Sequence, residues 1–133
     1  MDPADCDQAI HRRFEQQVAQ RPHAVAIVLP TGVVTYAQLN RTANRAARRL
    51  LTLVDSSPRP IALLVSQGYA SIVWTLAILK AGRAYAPLDQ RLPSSVLSEM
   101  LEDLGPGTLV AAPAYLERAR AISPGVPVID AED

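Results

Sequence analysis

The chain has 133 residues, of which 49% are hydrophobic and 20% charged, with 13 acidic side chains balancing 13 basic ones. That length supports one domain with a sizeable core, and the composition excludes a disordered chain and a global field that would draw in nucleic acid or an anionic membrane. No apolar run approaches the ~20 residues needed to cross a bilayer, and the polar, acidic start lacks the pattern of a secretory leader, so the cytoplasm is the expected compartment.

Asp7 stands where it would cap a helix from about Gln8 to Gln20, on which Ile10, Phe14 and Val18 form one apolar stripe. Cys6, just before it, has no second cysteine to pair with and no cationic cluster to activate it, so a reactive role is not expected. Pro22 pushes Arg21 out of the helical region. Ala24 to Leu29 then reads as a buried strand, Pro30-Thr31-Gly32 as a turn, and Val33 to Thr35 as the hairpin partner.

Thr35 followed by Gln38 is a capping-box pair, in which hydroxyl and amide satisfy the orphan N–H groups of a helix start. The helix runs from Tyr36 to about Leu53, with Leu39, Ala43, Ala46, Ala47 and Leu50 on one side and Arg41, Arg45, Arg48 and Arg49 largely on the other. No aromatic residues interleave with those arginines, which favours a solvated face over a nucleic-acid surface. Ser56-Ser57-Pro58-Arg59-Pro60 is a loop too short to link domains.

Ile61 to Val65 is a continuous apolar run of the kind buried in a parallel sheet. The next helix, Gly68 to Ala81, ends on Gly82, where a residue without Cβ takes positive φ without steric cost, and Lys80 in its last turn suits the negative end of the dipole. The strand Ala84 to Leu88 contains Pro87, so it must end there or lie at a sheet edge. A helix starting at Pro93-Ser94 carries Leu97, Met100, Leu101 and Leu104 and stops at Gly105. Strand Thr108 to Ala112, helix Ala114 to Ala121, turn Ser123-Pro124-Gly125 and strand Val126 to Ile129 complete the chain. The alternation predicts an α/β fold, a mainly parallel sheet flanked by helices.

Helix Gly68 to Ala81 is apolar all round, with Tyr69, Ile72, Val73, Leu76 and Leu79 on one side and Trp74, Ala77, Ile78 and Ala81 on the other. Such a helix is buried all round and needs cover on both sides. Trp74 and Ile78 are therefore the candidate interface residues.

Groups for catalysis are sparse. The glycines form neither a dinucleotide fingerprint nor a phosphate loop, and His11 and His23 lack the partners of a zinc site. Adjacent Glu102 and Asp103 point in different directions along a helix, Lys80 is explained by its helix end, and Ser66 has no ordered His and Asp partners. The segment Ala81-Gly82-Arg83-Ala84-Tyr85 is similar to one in response-regulator receiver domains, but the acidic pair and phosphorylated aspartate of those domains are missing at Pro30-Thr31-Gly32 and Ser66-Gln67-Gly68.

Leu79-Lys80-Ala81-Gly82-Arg83-Ala84-Tyr85-Ala86-Pro87-Leu88-Asp89 resembles the "LKAGxAYxPLD" core motif of adenylation domains in nonribosomal peptide synthetases, members of the adenylate-forming superfamily. Val34-Thr35-Tyr36-Ala37-Gln38-Leu39 resembles the preceding "LTYxEL" motif at the family's spacing, with Gln38 where the family usually has Glu. Ile10 to Val18, Arg21-Pro22 and Ala24-Val25-Ala26 are similar to the family's lead-in, so the likeness covers nearly the whole chain. After Asp89 the family commonly reads Pro-x-Tyr-Pro and then Glu-Arg-Leu, and this chain departs with Gln90-Arg91-Leu92-Pro93 and Ser95-Val96-Leu97.

The resemblance implies that residues 1–133 are a single truncated N-terminal adenylation subdomain, one part of a layered α/β sandwich. The family uses ATP and Mg to activate a carboxylate, with a Ser/Thr/Gly-rich loop ending in Lys-Gly, a ribose-binding aspartate, an acyl pocket and a lid lysine, all downstream of Asp133. No catalytic, cofactor-binding or metal-binding residue is therefore assigned here. The expected role is a catalytically inactive structural or interaction module beside a condensation or carrier domain, or a self-associating piece, without nucleic-acid or membrane partners. The alternative is the first segment of an intact amino-acid- or acyl-adenylating enzyme that needs its remainder for activity.

Overall fold

A computed structural model describes residues 3–54 and 58–132, with side chains described for Ile10 and from Arg12 onward. Cys6 and His11 thus have side chains outside the described residues, as do Ser56 and Ser57 of the short loop. Helix α1 spans Pro3–Gln20, so Asp7 lies inside it and does not cap it. Of its apolar stripe Phe14 packs on the core, whereas Ile10 stays exposed.

Strands β1 (Val25–Leu29) and β2 (Gly32–Thr35) form an antiparallel hairpin. Val25 pairs with Thr35 and Ile27 with Val34, which leaves Ala26 as an extra residue, a β-bulge. The bulge lets consecutive Ala26 and Ile27 both lean on the core, while Val28 on the outer face is 77% exposed. The expectation of a buried strand is corrected accordingly, because a two-stranded hairpin has only one covered face.

Thr35 caps helix α2 (Tyr36–Leu53) as its sequence predicts. Gln38 N–H donates to Thr35 Oγ1 at 3.2 Å and Thr35 N–H donates to Gln38 Oε1 at 2.9 Å. The buried side of α2 is Leu39, Ala43, Ala46, Ala47 and Leu50, the five positions its periodicity marks. The alanines among them leave room for helix α3 (Tyr69–Lys80) to pack close against α2.

Strands β3 (Ile61–Leu64), β4 (Tyr85–Pro87), β5 (Thr108–Ala111) and β6 (Val128–Asp130) make one parallel sheet in the order β4-β3-β5-β6. Pro87 is on an edge strand and ends it, both outcomes the missing N–H allows. Val126 N–H closes the preceding turn on the Ser123 carbonyl at 3.1 Å, so β6 starts later than its apolar pattern suggests.

Alternate residues of β3 and β5 face opposite sides. Ile61, Leu63 and Val110 join α2 and α3 in one core, and Ala62, Leu64, Leu109 and Ala111 join α4 (Ser94–Leu104) and α5 (Leu116–Ile122) in the other. A 3₁₀ turn, Pro113–Tyr115, precedes α5 and takes the first residues of the expected helix.

Helix α3 is the spine of the first core. It ends in a Schellman motif: Gly82 at φ +77° donates to the Leu79 carbonyl at 3.0 Å and Arg83 N–H donates to the Ile78 carbonyl at 3.1 Å. Trp74 is 3% exposed and Ile78 is fully buried, inside a cluster that α2 and the sheet supply. The placement of an interface at Trp74 and Ile78 is corrected: apolar character on both sides predicts cover, and the chain's own α2 provides it.

Candidate functional site: the crevice at the strand ends

In an open parallel sheet the carboxyl ends of the strands, where successive connections diverge, form the usual ligand crevice. Here β3 connects to β4 on one side and β5 to β6 on the other, so the divergence falls between neighbours β3 and β5. Across that point Ser66 Oγ and Tyr115 Oη share a hydrogen bond of 2.8 Å, joining the loops that follow the two strands.

Beside this bond lies a crevice of about 570 Å³. Ser66, Gln67 and Ser71 line it from the end of β3 and the first turn of α3, and Asp89, Gln90 and Arg91 from the segment after β4. The N-cap of α3 is Gly68, with no side-chain cap, so backbone N–H groups at the positive end of the helix remain available to an acceptor.

The wall after β4 is tied down. Arg118 on α5 donates to the Gln90 carbonyl at 2.6 Å, to the Leu92 carbonyl and to Ser94 Oγ at 2.9 Å. Asp89 accepts from the Arg91 guanidinium through both oxygens, at 3.0 Å each, and from the Arg91 backbone N–H at 2.9 Å. The guanidinium hydrogen bond holds the Asp89 carboxyl below its ordinary value and raises the Arg91 guanidinium in return. A carboxylate so engaged is an acceptor and a poor base at neutral pH. Ser66 has a phenol for partner, which does not activate it as a nucleophile. The crevice can therefore hold and orient a polar group, and its residues offer no proton-transfer pair.

Lys80 stands apart from the crevice. Its ammonium donates to Asn40 Oδ1 at 2.8 Å and Glu15 Oε1 at 3.0 Å and sits 5.6 Å from the centre of the Phe14 ring. It ties α1, α2 and α3 together. Among the described residues no group of three or more His, Cys, Asp or Glu side chains is placed to hold a metal ion. Nor is any described helix long and apolar enough to cross a membrane. Residue type and spacing do not single out Arg118 or Tyr115, although the place of Tyr115 in a loop after a parallel strand is a signal that could have pointed to it.

A parallel sheet with a crevice at its strand ends defines an open α/β unit. The sequence profile of the AMP-binding enzyme family matches residues 14–132, and the chain belongs to that family. It is 43% identical over 104 residues to malpinin synthetase of Mortierella alpina, covering 78% of this chain and 1% of that protein. With the dimodular nonribosomal peptide synthase of Bacillus subtilis it shares 38% identity over 98 residues, covering 74% of this chain and 4% of the relative. The structure of a nonribosomal peptide synthetase bound to alpha-methyl-L-serine-AMP superposes with a TM-score of 0.80 at 26% identity, covering 92% of this chain and 14% of that one. The chain thus spans a small part of the length of the relatives it matches.

Proposed function

We propose that this chain is a scaffold layer of a peptide-synthetase adenylation domain, which builds shape and contact surface and does not by itself activate a carboxylate. The observation that supports this is the disposition of its polar side chains. Lys80 is consumed in joining three helices, and Asp89 is held by Arg91. Adenylate formation needs donors aimed at a developing charge and a group that orients the carboxylate against the α-phosphate. Isothermal titration of the purified chain with ATP and magnesium tests this reading: no measurable heat of binding is expected, and saturable binding contradicts it.

A second reading is favoured by the open crevice at the strand ends. As the first segment of an intact adenylating enzyme, the chain would contribute Ser66, Gln67 and Asp89 to one wall of a larger cleft. Co-expression with the remainder of a related adenylation domain would then yield amino-acid-dependent activity, while an inactive assembled pair would count against it. A condensation or carrier domain is the partner proposed in either case.

A further inference from the structure

The zero net charge conceals two helices of opposite sign. Helix α2 carries four arginines and no acid, whereas α4 carries three acids and no base. At the helical pitch Arg41, Arg45 and Arg48 fall in one exposed row, and Val96, Glu99, Met100 and Asp103 share one exposed face of α4. Arg41, Arg45, Arg48, Glu99 and Asp103 have no ion-pair partner among the described residues. Within one chain the two helices cannot meet, because α2 packs on one face of the sheet and α4 on the other.

Both charged rows are bordered by apolar surface. Leu51 is 60% exposed beside Arg48 on α2. Between α4 and edge strand β4 runs a groove of about 430 Å³, lined by Ala86, Pro87, Leu88, Met100 and Leu104, with Asp103 its one charged member. A basic helix with an exposed leucine and an apolar groove with acidic flanks are complementary in both charge and polarity.

We propose that a second copy of this chain docks the arginine row and Leu51 of its α2 onto the acidic, grooved face of α4. The two surfaces differ, so the contact is head to tail, leaves one of each surface free at the ends, and adds copies as concentration rises. Charges at the rim orient the encounter, which makes the association weak and salt-sensitive.

Sedimentation velocity over a concentration series, in about 0.02 M and about 0.5 M salt, tests this. The average mass should rise with concentration in the first condition and return to the monomer in the second. The variants Arg41→Glu/Arg45→Glu and Glu99→Arg/Asp103→Arg should each bind themselves at least about tenfold more weakly than the parent chain, since like charges then face each other. Mixed in equal amounts they should associate again, because each contact is then between opposite charges. A parent chain that stays monomeric throughout the low-salt series overturns the proposal, as does a mixture that stays monomeric. If either variant melts below the parent, the neutral pairs Arg41→Gln/Arg45→Gln and Glu99→Gln/Asp103→Gln replace them, and parent-like association by both is the overturning result.

Discussion

Lys80 and Asn40, forty residues apart in sequence, meet in a hydrogen bond of 2.8 Å that fixes the end of α3 against α2. The lysine side chain is only 7% exposed, while its second partner, Glu15, is half exposed. Breaking a largely buried charge contact from the lysine side removes the bonds to both partners, whereas trimming the exposed acid removes a screened one. Lys80→Met should lower the unfolding free energy by about 1–3 kcal/mol in urea melts, and Glu15→Gln by less than about 1 kcal/mol. Equal effects would show that the bond to Asn40 has no special weight.

Trp74 donates through Nε1 to the Ala131 carbonyl at 2.9 Å, so this core residue also holds the segment after β6. Trp74→Phe should cost about 1–3 kcal/mol, from the lost bond and the volume it leaves. As the only tryptophan, Trp74 should emit at short wavelength and resist quenching by acrylamide in the native chain. Emission typical of water would contradict the burial described.

Gly82 needs its positive φ, and a Cβ there would meet nothing within 4 Å. Gly82→Ala should therefore carry the backbone cost alone, about 1–2 kcal/mol by thermal melts. No change in stability would mean that the helix end is not held in the left-handed conformation.

Asp89 is the clearest titration signal. Its carboxyl is held below the ordinary 3.8 by the Arg91 hydrogen bond. A depressed folded-state pKa gives stability that is present above the unfolded value and is lost as pH falls through the folded one. The Asp89 carbon resonance should therefore titrate below 3.8, and Arg91→Gln should move its midpoint upward. An unchanged midpoint would exclude Arg91 as the cause.

The elements legible in the sequence are those with local causes. The capping box of Thr35 and Gln38, the helix stop at Gly82 and the edge position of Pro87 each follow from one residue or from two close in sequence. The features that stay hidden depend on distant partners. Apolar residues around α3 announce burial without naming α2 as the cover, so periodicity alone points Trp74 and Ile78 at a surface they do not reach. The bulge at Ala26 likewise depends on pairing with β2, and the anchoring role of Arg118 on carbonyls of the segment after β4 leaves no trace in residue type.

In the function proposed, this chain supplies architecture to an adenylation domain and not turnover. Amino-acid-dependent exchange of labelled pyrophosphate into ATP, measured on the purified chain with each proteinogenic amino acid, tests it most directly. Counts at the level of the protein-free control for every amino acid are expected. Exchange above that control that rises with the amount of chain would contradict it.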